Sequence, residues 1–181
     1  MATLEIVRMG HPVLKQTARP VEDPTAPEIA RLVEDMVETL DASGGVGLAA
    51  PQVGVSLRLV MFFVPPARSG GGEAVPLTVL INPEIEPLDD EMASAYEGCL
   101  SIPGLTGQVP RWRRIRYRGL GLDGRLIERE AEDFHARVVQ HECDHLNGLL
   151  YINRMSSQDS LAYLDELLRG QREQSERTVV G

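Results

Sequence analysis

Gln140-His141-Glu142-Cys143-Asp144-His145-Leu146-Asn147-Gly148 is the stretch from which the rest of the chain is best read. Two histidines four apart, with a glutamate directly after the first, suit a helix that holds a hydrolytic metal ion. Positions i and i+4 lie on one helical face, so both imidazoles can aim at a single ion. Glu142 is about 100° further round, near enough to act on a water without ligating the metal. The same spacing also occurs on plain amphipathic helices, where both histidines are ordinary packing residues. Cys143 points roughly opposite His141 and reads as a buried thiol. Asp144 reads as structural.

Working outward, Asp133 is the expected N-cap of this helix, which runs to about Asn147 and stops at Gly148. Phe134, Val138, Val139 and Leu146 supply its packing. Upstream, 112–122 has strand character, with Ile115 and Tyr117 alternating against arginines. Asp123-Gly124 is a hairpin turn, and 126–130 returns. Downstream, Leu161, Leu164, Leu167 and Leu168 mark a last amphipathic helix ending at Gly170. Residues 171–181 are polar and expected to fray. Near the N-terminus, Gly10-His11-Pro12 is turn-like and His11 reads as structural. Thr25 with Glu28 reads as a capping box, and Pro27 suits the first turn. Ile29, Leu32, Val33, Met36, Val37 and Leu40 then form one buried helical stripe, ended by Gly44 and Gly45. Strands are expected at 57–64 and at 77–81, the second closed by Asn82-Pro83, with a short one at 84–88. Residues 65–72 read as an exposed, mobile loop, and 89–92 as an acidic turn.

Two further stretches carry unusual residues. Gly45-Val46-Gly47-Leu48-Ala49-Ala50-Pro51-Gln52 is built from small residues, and only Gln52 has a reactive-looking polar group. Glycines there let the backbone approach a partner closely. No Lys-Ser or Lys-Thr follows and no strand leads in, so a narrow substrate cleft explains the stretch better than a phosphate loop. Glu97-Gly98-Cys99-Leu100-Ser101-Ile102-Pro103-Gly104 places a cysteine beside a glycine near a strand. Read alone, Cys99 fits either a buried thiol or a third metal ligand.

The 181 residues are most simply one domain, 1–170, with 171–181 as its tail. No internal repeat or linker interrupts them. The net charge of −9 argues against direct binding of duplex nucleic acid, which calls for a basic footprint. Arg111, Arg113, Arg114, Arg116 and Arg118 form a local basic run, best read as a solvated strand face but able to dock on a nucleic-acid machine. No apolar run approaches the roughly 18 residues of a membrane helix. Residues 1–10 show neither a signal-peptide core nor a transit segment, so a cytoplasmic location is the default. With two cysteines in such a chain, ligand, catalytic or buried thiol roles outweigh a disulfide.

Gly-Val-Gly-Leu-Ala-Ala-Pro-Gln at 45–52, Glu-Gly-Cys-Leu-Ser at 97–101 and Gln-His-Glu-Cys-Asp-His at 140–145 resemble the three motifs of peptide deformylases, in the family's order and spacing. The resemblance spans about residues 4–168. It implies an α+β fold: antiparallel sheets wrapped around a central metal-binding helix, with an N-terminal and a C-terminal helix. It implies hydrolysis of the formyl group from N-formylmethionyl nascent peptides, with formate released, and transient contact with the ribosome. It implies iron(II), one per chain, held by Cys99, His141, His145 and water; zinc, nickel or cobalt can substitute. Glu142 then moves the proton, while the Gln52 amide and the Leu100 backbone N–H stabilise the oxyanion. Val46, Gly47, Leu48, Gly98, Phe134, Arg137 and Val138 become the substrate-binding set, with Gly47 holding the peptide backbone and Val46 and Leu48 as cavity walls.

General chemistry supports this reading. Three protein ligands and one open position describe a catalytic metal site, and a metal lowers the pKa of a water towards neutrality. A carboxylate beside it suits general base and acid work. Amide and backbone N–H groups are the donors an oxyanion hole uses. Glu97 and Arg111 are expected to pair and fix the cysteine loop. Two positions depart from the family pattern. Arg137 stands where many members place an aliphatic residue lining the methionine pocket; an arginine there resembles organelle-type members without assigning a subtype, and its stem is expected to cover the pocket while its charge reaches solvent. Thr106 stands where many bacterial members carry an arginine near the cleft. A zinc endopeptidase shares the helix motif but usually takes a further ligand downstream, and no histidine follows His145. A closed structural site wants a fourth protein ligand, and Cys143 faces away. An inactive homologue is disfavoured because Glu142 and Gln52 are both present.

Overall fold

The computed structural model describes residues 2–69 and 74–179. A five-stranded antiparallel sheet has the order β1-β2-β3-β6-β7, with β1 Gly47–Ala49, β2 Leu59–Val64, β3 Val75–Pro87, β6 Arg114–Leu120 and β7 Leu126–Glu132. A second sheet of three strands has the order β4-β5-β8, with β4 Met92–Cys99, β5 Ile102–Trp112 and β8 Ala162–Tyr163. Three α-helices accompany them: α1 Pro27–Ser43, α2 Asp133–Leu146 and α3 Leu164–Val179.

The apolar run of β2 explains the layering. Val60 and Phe62 face α2, where they pack with Leu80, Ile115, Tyr117, Val139, Cys143 and Leu146. Leu59 and Met61 face the other way and pack with Ile29, Val33, Met36 and Leu40 of α1. Strand side chains alternate between faces, so a strand covered on both sides has no polar positions. Helix α2 is buried nearly all round, the signature of a central helix. One side lies on the large sheet. The other carries Arg137, His141 and Asp144 towards the β4–β5 hairpin, which packs with Leu150 and Tyr151 in a third cluster.

Several local expectations are corrected. Thr25 does not cap α1: its hydroxyl donates to Asp23, and the capping position is Ala26. Pro27 alone starts the helix, since its fixed φ suits the first turn. Asn82-Pro83 does not close a strand. β3 passes through it with a register shift, Asn82 taking a left-handed φ of 51° while its side chain exchanges two hydrogen bonds with the Val21 backbone. The β4–β5 hairpin was absent from the strand pattern, and the expected strand at 112–122 is cut at Arg113, where β5 ends and β6 begins. Asp133 does not cap α2; its carboxylate accepts from Arg113, and the capping position is Glu132. Leu161 lies outside α3, which runs through Gly170 as far as Val179 instead of stopping there. Of the expected loop at 65–72, Pro66–Arg68 forms a 3₁₀ turn, and 70–72 lie outside the described residues, as do the last two residues of the expected tail.

The end of α2 is held against the N-terminal segment. Ala18 N–H donates to Leu146 O at 2.8 Å, and Gly148 follows with φ 71°. A Cβ at Gly148 would meet the Lys15 carbonyl carbon at 2.7 Å. Gly148→Ala therefore combines left-handed strain with a backbone clash. A loss of about 1–3 kcal/mol is expected, read as a lower midpoint in urea with an unchanged slope.

Candidate metal centre

Cys99, at the end of β4, and His141 and His145, on α2, present ligand atoms that all lie within 4.8 Å of one another. Cys99 Sγ is 3.5 Å from His145 Nε2. The two imidazoles meet edge to face, centroids 5.1 Å apart. Successive helical turns impose that spacing on residues four apart. A thiol and two imidazoles, one of them fixed by a carboxylate, are a donor set suited to a divalent transition metal. The residues present therefore fit the metal that the sequence implies.

Glu97 supplies the fixing. Its Oε2 accepts from His141 Nδ1 at 2.8 Å, leaving Nε2 to face the cluster. Arg111 donates to both Glu97 oxygens, Nε and Nη2 each at 3.0 Å, so the expected pair is present as a buried fork. Arg111 also reaches Asp144, which Arg154 holds from the other side. Burial opposes the Glu97 charge, but the hydrogen bonds from His141 and Arg111 outweigh it and hold the carboxyl at about 2. Burial also opposes charge on His141; its hydrogen bonds to Cys99 and Glu97 prevail and raise its pKa well above the ordinary value. His145, buried and beside His141, is pushed well down.

Glu142 is buried, and its Oε2 has no hydrogen-bond partner among the described residues. Burial pushes its carboxyl up to about 7. Unpaired buried polar atoms are costly, so such an atom beside a ligand cluster marks a place for a polar guest. Gln52 closes another side. Its Oε1 accepts from Ala49 N–H at 2.9 Å, which turns Nε2 towards Ser101 Oγ at 3.3 Å and Cys99 Sγ at 3.6 Å. A cleft of about 490 Å³ opens over these groups. Val46, Gly47, Gly98, Leu100, Phe134, Arg137 and Val138 line it. Tyr96, Leu105 and Leu164 line it too, at positions that the sequence reading did not assign to the site.

Three expectations fail here. Leu48 is not a cavity wall: it is fully buried under α1, because alternation along β1 sends it to the opposite face from Gly47. Thr106 is not at the cleft; it is buried in β5, and its hydroxyl donates to Glu97 O at 2.9 Å. The Arg137 charge does not reach solvent. Its guanidinium is buried and donates to Glu97 Oε1 at 2.7 Å, Val109 O at 2.8 Å and Ala93 O at 2.6 Å. Cys143 is buried against the sheet, and burial pushes its thiol far up, which suits an inert packing residue. His11 caps a 3₁₀ turn through Nδ1, and His135 meets the Tyr117 hydroxyl, so neither joins the cluster. Tyr151 escaped the sequence reading: its buried ring stacks on His141, centroids 6.4 Å apart and 18° from parallel.

An α+β fold that seats His-Glu-x-x-His on a buried helix and brings a strand cysteine to it defines a metal-dependent hydrolase. The polypeptide deformylase family matches residues 3–160, and the chain belongs to that family. It is similar to peptide deformylase 1 of Bordetella pertussis, with 55% identity over 163 residues that cover 90% of this chain and 93% of the relative. It also resembles the class I type b peptide deformylase of Acinetobacter baumannii solved with Met-Ala-Ser bound, with a TM-score of 0.79, 36% identity and coverage of 85% of this chain and 99% of that one. The Ehrlichia chaffeensis peptide deformylase in complex with actinonin gives a TM-score of 0.80 at 36% identity, covering 87% of this chain and 91% of that one.

Gly47 is where the geometry is tightest. A Cβ there would sit 2.7 Å from the Glu142 carboxyl carbon. Gly47→Ala is expected to displace that carboxylate, lowering kcat by about tenfold or more while one metal per chain is retained. Metal analysis beside single-turnover kinetics checks both halves.

Proposed function

We propose that this chain removes the formyl group from the N-terminal formylmethionine of newly made polypeptides, releasing formate. The observation that carries the reading is the convergence of Cys99, His141 and His145 within 4.8 Å, together with Glu142, whose buried Oε2 has no partner among the described residues. Cys99, His141 and His145 would hold the metal. A bound divalent metal supplies Lewis acidity and makes a water acidic enough to attack near neutral pH. Glu142 accepts the proton from that water and returns it to the leaving amine. The water oxygen bonds to the formyl carbon, the C–N bond breaks, and formate and a free amino terminus separate. Gln52 Nε2 and the Leu100 backbone N–H donate to the oxygen that gains charge. Gly47 and Gly98 hold the extended peptide by backbone hydrogen bonds. Phe134 and Val138, with the apolar stem of Arg137, take the methionine side chain, and Val46 narrows the space beside the formyl group.

The thiolate in the ligand set supports iron(II) as the working metal, with zinc, nickel and cobalt able to replace it. Iron(II) binds such sites less tightly than nickel, cobalt or zinc, so its occupancy follows supply. Residues 1–170 are the catalytic unit, working in the cytoplasm where the formylated chains are made. No helix among the described residues is long and apolar enough to cross a membrane. The arginine run does not offer a free basic face for ribosome contact: Arg113, Arg114, Arg116 and Arg118 each pair with carboxylates of neighbouring strands or loops.

Glu142→Ala is expected to keep one metal per chain and lose turnover by about 100-fold or more. Formate release measured beside metal content decides it; loss of the metal would make Glu142 a ligand. The iron assignment has its own check. Protein purified without oxygen should lose activity on exposure to air, since iron(II) and the Cys99 thiolate are both oxidisable, while the nickel form should endure. Full activity of the iron form after hours in air would overturn the assignment.

A further inference from the structure

Arg137 stands one turn before His141, and its stem forms part of the cleft wall. Its charged end faces the opposite way. Nη1 donates to Glu97 Oε1 and to Val109 O on β5, and Nη2 donates to Ala93 O on β4. Glu97 consequently receives four donors on two oxygens: Arg111 Nε and Arg137 Nη1 on Oε1, Arg111 Nη2 and His141 Nδ1 on Oε2. That fills the acceptor capacity of a carboxylate. With every lone pair engaged, Glu97 has one orientation, and His141, bonded to Oε2, inherits it. The same guanidinium binds α2 to both strands of the hairpin that ends in Cys99. One planar cation therefore ties the helix of the two histidines to both strands of the cysteine's hairpin, beside the Arg111–Asp144 pair.

We infer that Arg137 is a positioning residue for the metal site, acting through Glu97, in addition to lining the cleft. The inference rests on the reading of Cys99, His141 and His145 as the metal ligands. An arginine suits the task because its fork serves three acceptors in one plane, which a lysine ammonium cannot do in the same geometry. Arg111 fixes Glu97 to β5 and reaches the helix only at Asp144, beyond His141. Arg137 adds a second tie between Glu97 and the helix that carries both histidines, beside the His141 bond itself, and it is the one that also reaches Val109 O and Ala93 O.

The test uses protein loaded anaerobically with one equivalent of cobalt(II). Wild type should bind one cobalt with a thiolate-to-cobalt absorption band. Without that band the ligand reading fails, and that failure is distinct from the tests of Arg137 itself. Arg137→Met should release cobalt to a chelator about tenfold faster and shift the band. Glu97→Gln should also speed release. If Arg137 acts through Glu97, Arg137→Met in the Glu97→Gln background should add less than about twofold. Multiplying effects would overturn the inference. So would an unchanged release rate in Arg137→Met accompanied by a higher KM, because Arg137 would then be a cleft residue only. Arg137→Lys, which keeps the charge and most of the stem, provides a folded second variant. It should speed release by less than Arg137→Met does, and a wild-type rate would overturn the inference equally.

Discussion

Glu97 is a carboxylate taken out of water and surrounded by donors from three directions. Burying an ion costs several kcal/mol, and only close, complete pairing offsets that. Here Arg111 reaches it from β5, Arg137 and His141 from α2, and the Glu97 backbone carbonyl is itself held by Thr106. Asp144 repeats the pattern one turn further along the helix, between Arg111 and Arg154. Such a network is rigid because each buried carboxylate is held by more than one donor, and every lost donor leaves less to offset its burial. The ligand cluster sits on this frame.

The frame explains why the site lies where two sheets meet. The large sheet gives α2 a dry floor through Val139, Cys143 and Leu146, while α1 covers the sheet's other face. The small sheet brings Cys99 to the opposite side of the helix. Strand β1 passes beside Glu142 closely enough that only a glycine fits at position 47. The three motif stretches thus come from three elements, and each needs the others for its polar groups to be satisfied. Gln52 shows the same economy: its carbonyl oxygen is used by the Ala49 N–H, so its amide is already turned towards Cys99.

Much of this was legible in the chain. Four-residue spacing of histidines, a stripe at Ile29, Val33, Met36 and Leu40, and the turn at Asp123-Gly124 are local patterns, and local patterns survive folding. The β4–β5 hairpin was not legible. Its outward positions carry Met92, Tyr96 and Trp112 as well as polar residues, which blurs the alternation that identifies a strand. The helix caps at Thr25 and Asp133 also misled. Both side chains have a better partner, Asp23 and Arg113, and a capping residue is free to act only when nothing nearby competes for it.

Sequence by itself determined the chemistry: which donors are available, that two of them share a helical face, and that a carboxylate stands beside them. These follow from residue identity and helical period, neither of which depends on distant parts of the chain. Tertiary structure alone decided the direction of Arg137, the burial of Leu48 and Thr106, and the stacking of Tyr151 on His141. Each of those depends on a neighbour far along the chain. Arg137 turns inward because a Glu97 oxygen and the carbonyls of Ala93 and Val109 converge there. A pattern read along the chain carries no information about which buried acceptors will be waiting there.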